Sequence, residues 1–246
     1  RDYNPSPQMV ESWDISSSNR TYTFTLRSGL KFHDGSDVEA ADVAASLERW
    51  LPSTFPYATM MKNFAATPWT SVISKTTLTI NLDDPYTFVL QSIAPPHKAP
   101  MVFPAENAAT PHTEAVPNWI GSGPYKFSEW KQGDRVILVR AETYTARTDA
   151  NSGYAGSQVA YLDTLTWLEI PDQETKMAGL ETGEWDVVEG AGLDFWPRVI
   201  ENDDLAVGLR RPGNRNNIML NPWNWPFGNA EDDPNIDSGT RFNPTA

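Results

Sequence analysis

"YTFTLRSGLKFHDGSDVEAADVAASLERW", residues 22–50, changes its apolar period part-way along. Tyr22, Phe24 and Leu26 alternate with Thr23, Thr25 and Arg27, the spacing of a strand with one buried face. Beyond a Ser28-Gly29 turn and the turn residues His33-Asp34-Gly35, the apolar positions fall at 40, 43, 47 and 50, which is helical spacing. Ser36 reads as the N-cap, and Glu39 three residues on completes a capping box. A helix is therefore expected over 36–50, with Asp42, Ser46 and Glu48 off its apolar face and Pro52 ending it.

Outward from this stretch, strands and helices interleave. "TTLTINL" (76–82) alternates Leu78, Ile80 and Leu82 and reads as a half-buried strand, whereas residues 52–69, rich in aromatics and Met, read as irregular. Six prolines between 95 and 117 predict a long loop. "YKFSEW" (125–130) and "RVILVR" (135–140) form a hairpin through Lys131-Gln132-Gly133-Asp134, and "LDTLTWLEI" (162–170) is a further strand. Pro171-Asp172 opens a short helix that Gly183 stops. "EWDVVEG" (184–190) and "NNIML" (216–220) are expected as strands, and the final stretch consists of turn formers. The class is mixed α/β, with no internal repeat.

Composition narrows the chemistry. The chain has 246 residues, 39% of them hydrophobic, which is enough to bury a core. A net charge of −13 argues against nucleic acid and anionic membrane surfaces as partners, because phosphate binding needs a basic footprint. With no cysteine, disulfides, thiol catalysis and Cys-based metal sites are excluded. No apolar run is long enough to cross a bilayer, and a signal peptide, if the precursor carries one, is not in this sequence.

Catalytic and cofactor motifs are absent. "GSGPYK" (121–126) begins like a dinucleotide fingerprint, but lacks the third glycine and runs into a strand instead of a helix; it reads as a tight turn. His33, His97 and His112 have no ligand spacing with one another or with a carboxylate, so no metal site is expected. Carboxylate pairs such as Glu181/Glu184 and Asp203/Asp204 leave an acidic hydrolase as the alternative reading, although no His or Lys beside them would tune a proton transfer. Ten Trp, eight Tyr and ten Phe are the stronger lead. Phe55, Tyr57, Trp69, Trp119, Trp196, Trp223 and Trp225 fall in expected loops and, as a set, suggest a cleft gripping an organic ligand by stacking.

Four blocks in order carry a family resemblance: "ESWDISSSNRTYTFTLRSGLKFHDGSDVEAADVAASLERW", "WIGSGPYKFSEWKQGDRVILVR", "YLDTLTWLEIPDQETKMAGLETGEWDVVEG" and "NRNNIMLNPWNWPF". Together they span roughly residues 7 to 227 and closely resemble the family-5 extracytoplasmic solute-binding proteins of ABC importers, which take peptides, opines, nickel chelates and oligosaccharides. The resemblance implies a type II periplasmic-binding-protein-like fold, two lobes closing as a Venus flytrap. Since family members are roughly twice this long, residues 1–220 are expected to be most of the larger lobe, cut short on both sides. Residues 221–246 would then be an irregular tail leading towards the second lobe.

By the same resemblance the function is capture of a peptide-like solute in the periplasm, or another extracytoplasmic space, and delivery to a membrane permease. No chemistry, cofactor, metal or nucleic acid is involved, and the full-length protein is expected to be a monomer. Oligopeptide-binding relatives place an aromatic near the cleft in the loop after the first helix, which points to Tyr57 with Met60 beside it. Trp119, at the opening of the Gly-Ser-Gly-Pro-Tyr strand, is the third candidate.

Overall fold

The computed structural model describes residues 4–95, 99–153 and 155–207. The chain divides after Ile170 into two compact units. In the first, β1 (Val10–Ile15), β2 (Thr21–Leu26), β3 (Ala65–Val72) and β4 (Thr77–Leu82) form an antiparallel sheet in the order β1-β2-β4-β3. The alternation read in 22–26 is real: Tyr22, Phe24 and Leu26 are buried, and Tyr22 and Phe24 face Ile80 and Leu78 across the ladder. Those side chains form one core with Ala40, Ala44, Leu47 and Trp50 of α1 (Ala40–Trp50). The 2.0 and 3.6 periods thus supply two faces of a single core.

The start of α1 differs from expectation. Glu39, not Ser36, is the N-cap, and its N–H is accepted by Asp42 Oδ2 at 2.8 Å. Ser36 is already committed, since its N–H and Oγ–H both donate to Asp34 Oδ1 at 3.0 and 2.7 Å in an Asx turn. Phe32 N–H donates to Ser36 O and Val38 N–H to Leu30 O, so residues 30–38 form a closed loop before the helix begins.

The stretch expected to be irregular contains α2 (Pro56–Lys62), with Pro at N1, and then β3. Trp69 is accordingly a buried β3 residue and not a loop aromatic. The described part of the proline-rich segment is irregular apart from α4 (Ala105–Ala108), which follows the short α3 (Val89–Ile93). Three α1 side chains stitch it down: Asp42 Oδ1 accepts from Ala105 N–H at 2.8 Å, Ser46 Oγ accepts from Phe103 N–H at 2.9 Å, and Arg49 donates to Thr110 O and Glu114 O. Ser46, expected off the apolar face, is 2% exposed.

The same unit holds a second antiparallel sheet, β5 (Tyr125–Lys131), β6 (Arg135–Arg140) and β7 (Thr164–Leu168), in sequence order. The predicted hairpin is present. Arg27 and Arg147 link the strap at 8–10 to the chain beyond β6, through Thr145 O, Gln8 O and Val10 O.

In the second unit, α5 (Gln173–Thr182) is bounded as its sequence announces. Asp172 Oδ1 accepts from Thr175 N–H at 2.8 Å, and Gly183 takes a left-handed φ of 74° at the C-terminus. "EWDVVEG" is not a strand here. The Trp185 indole lies over Gly179, where a Cβ would collide with the ring, and its Nε1–H donates to Lys176 O at 2.8 Å, folding this segment back on α5. One 3-10 turn, Leu193–Phe195, leads into α6 (Trp196–Ile200). "NNIML", Trp223 and Trp225 lie outside the described residues.

Candidate functional site

The antiparallel register of the second sheet sets its aromatic side chains in rows. Trp130 faces Val136, and Val136 faces Trp167; one step along, Phe127 faces Leu138 and Leu138 faces Leu165. Directly opposed residues share a face, as do positions two apart, so these six side chains form one apolar surface. Trp119 joins it from outside the sheet, its ring 4.4 Å from Phe127 edge-to-face and 5.6 Å from Trp130 in a stacked arrangement. Trp119, Trp130 and Trp167 are 51, 54 and 51% exposed. Trp119, Phe127 and Trp130 pack together and, with Trp167 on the same face of the sheet, stay open to solvent, forming a platform suited to stacking on a ring or a hydrocarbon chain.

A short strap, Asn118–Gly123, positions Trp119. Asn107, itself buried, donates from Nδ2 to Asn118 O at 3.2 Å. Ile120 packs against the first core. His33 N–H donates to Gly121 O at 2.8 Å, Gly121 N–H donates to His33 Nδ1 at 3.2 Å, and His33 Nε2 lies 3.0 Å from Gly123 O. The "HDG" histidine is therefore more than a turn residue.

Gly123 faces open space, with a φ outside the left-handed region. The close approach is at Gly121, where a Cβ would sit 3.2 Å from His33 Cε1.

The three candidate residues separate. Tyr57 lies on α2, half-buried against the first core, while Met60 on the same helix is 48% exposed. Trp119 belongs to the platform. Two shallow hollows, about 360 and 440 Å³, flank α1 and α4, and neither is lined by any of these three residues. Of the aromatics singled out in loops, Trp196 opens α6 and Phe55 is the N-cap of α2. Trp130 and Trp167 lie in strands, β5 and β7, not in loops. Their signal in the sequence is a bulky aromatic in each outer strand of a three-strand meander, placed by register opposite one β6 residue.

Nothing in this arrangement performs proton transfer. Glu181, the carboxylate a hydrolase reading would use, is held by Arg198 at 2.8 Å, and that hydrogen bond keeps it below the usual carboxylate range. Arg198 also grips Glu174 at 2.7 Å and lies over the Phe195 ring, so it serves as a brace between α5 and α6. Among the described residues, no three His, Cys, Asp or Glu side chains converge as a metal site.

The family model described as "Bacterial extracellular solute-binding proteins, family 5 Middle" matches residues 4–231. A probable peptide ABC transporter periplasmic-binding protein of Sinorhizobium fredii is 33% identical over 235 residues, covering 92% of this chain and 43% of that protein. The glutathione-binding protein GsiB of Pectobacterium atrosepticum is 31% identical over 226 residues, covering 91% of this chain and 41% of that protein. Among solved structures, NikA from Brucella suis in complex with Fe(III)-EDTA superposes with a TM-score of 0.66 at 26% identity, over 80% of this chain and 38% of that one. The chain thus spans about two fifths of the length of these relatives.

Proposed function

The chain belongs to the bacterial extracellular solute-binding proteins of family 5, and on that footing we propose that the whole protein is the periplasmic receptor of an ABC importer. It captures a peptide-like solute and passes it to a membrane permease. Relatives described as peptide- and glutathione-binding support this class of ligand. The observation that carries the reading furthest is the solvent-open platform of Trp119, Phe127, Trp130 and Trp167, which offers stacking area without acid–base groups.

In this reading residues 1–220 contribute the larger lobe, residues 221–246 run towards a second lobe, and the full-length receptor works as a monomer. Ligand is closed between the lobes, so one lobe supplies only part of the buried area. Trp119 is the first-choice contact, with Tyr57 and Met60 as a second group on α2.

Calorimetry of the full-length protein against dipeptides, tripeptides and glutathione tests this. Saturable binding of a peptide, with the 246-residue chain alone binding far more weakly, is the expected result. Equal affinity of the two would overturn the two-lobe reading. Binding of an opine or oligosaccharide in place of every peptide would overturn the ligand class, and hydrolysis of a bound peptide would overturn the transport role.

A further inference from the structure

We propose that His33 is a proton-operated latch on the strap that carries Trp119: neutral, it clamps Gly121 and Gly123; protonated, it lets the strap and its tryptophan shift.

The hydrogen bonds fix the tautomer. A backbone N–H can only donate, so the Gly121 N–H, 3.2 Å from Nδ1, requires a lone pair there. The ring proton then sits on Nε2, where Gly123 O, at 3.0 Å, can only accept. One imidazole therefore satisfies a donor and an acceptor two residues apart, and it does so only when neutral. Adding a proton at Nδ1 turns the Gly121 contact into two opposed N–H groups, and the latch loses one of its two side-chain holds.

The surroundings favour the neutral ring. Partial burial pushes the His33 imidazole below its ordinary range, and the Gly123 carbonyl opposes this. Of the charged groups facing the ring, Lys126 from β5 disfavours protonation and Asp34 from its own loop favours it. The strap is not free to move wholesale, because Asn107 still holds Asn118, Ile120 stays packed, and His33 N–H still reaches Gly121 O. What protonation loosens is local, at Gly121 N–H, and the Trp119 ring two residues away, half exposed, is its reporter.

The test is a pH titration by NMR of the 246-residue chain with 15N-labelled histidine and tryptophan, Trp119 being assigned through Trp119→Phe. At pH 8 the 15N shifts should place the His33 proton on Nε2. On acidification the Trp119 indole signal should move with the same midpoint as the His33 ring, below the ordinary value of about 6.5. His33→Gln, whose amide can still donate to Gly123 O but cannot titrate, should leave the Trp119 signal flat over that range. The proposal is overturned by any of three outcomes: a His33 proton on Nδ1 at pH 8, a His33 ring that titrates while Trp119 stays still, or a Trp119 transition that persists in His33→Gln. If that variant does not fold, the tautomer and the paired midpoints of the unsubstituted chain decide alone.

Discussion

Ser46→Ala should destabilise the first unit although a helix position gains a better helix former. Ser46 is 2% exposed, and its Oγ donates to Asp42 O at 2.7 Å and accepts the Phe103 N–H at 2.9 Å. Truncation leaves that half-buried N–H without its partner, which costs about 1–3 kcal/mol. The gain in propensity from Ser to Ala returns no more than about 0.5 kcal/mol. The net is about 0.5–2.5 kcal/mol, or roughly 1–10 °C in Tm for a chain of this size. Ser36→Ala should cost less than about 0.5 kcal/mol, because its bonds to Asp34 are exposed to solvent. This order is the reverse of what a Ser36 N-cap would give. Urea denaturation of both variants, with m-values compared to confirm two-state unfolding, measures it. A Ser46→Ala midpoint indistinguishable from the parent chain, or a Ser36→Ala loss larger than that of Ser46→Ala, would refute the assignment of α1's start and of its grip on residue 103.

Gly121→Ala should cost about 1 kcal/mol by pressing a methyl against the held His33 ring, while Gly123→Ala should be neutral or slightly stabilising through the unfolded chain; thermal melts rank the two. In the full-length protein, Trp119→Ala should weaken ligand binding roughly 5- to 150-fold, the equivalent of about 1–3 kcal/mol for a lost stacking platform, at nearly unchanged Tm. Tyr57→Ala, at a contact that is also half-buried against the first core, should lose about 1–2 kcal/mol of stability along with affinity, and calorimetry beside melting curves separates the two behaviours. Hydrogen bonds from Thr175 hold Asp172 below its ordinary range, so its contribution to α5 is present above about pH 4 and is lost as pH falls through the lowered value. Asp172→Asn keeps a cap acceptor but cannot titrate, and should remove that part of the pH dependence of helical circular dichroism; an unchanged acid limb would contradict it.

Local rules carried the parts of the fold whose causes are local. β2 was legible because its one-sided burial repeats every second residue, and α5 because Pro171-Asp172 and Gly183 state both of its ends. The start of α1 was misplaced because Ser36 and Glu39 both satisfy a capping pattern, and only the Asx turn at Asp34 removes Ser36 from contention. α2 and β3 were missed for different reasons. α2 is short and announced by a single proline at N1, and β3, "AATPWTSV", does not alternate. At the site, Trp119 was visible as an aromatic beside a glycine turn. The placing of Trp130 and Trp167 on one face depends on strand register, and the hold of His33 on Gly121 joins residues 88 apart in sequence. No window along the chain contains such a pair.

Asp42, Ser46 and Arg49 recur at intervals of four and three, so they form a stripe along one side of α1, and every one of them bonds backbone of residues 103–114. The amides of Phe103 and Ala105, at the start of this segment's short helix, would exchange with solvent at the rate of an open loop if nothing accepted from them. Here the amides of Phe103 and Ala105 are released only when α1 itself opens, since their acceptors are that helix's side chains. Their protection should therefore follow the opening free energy of α1, and the two segments should appear as one cooperative unit in hydrogen exchange. Loop and helix, distant in the chain and unlike in conformation, then share a single lifetime.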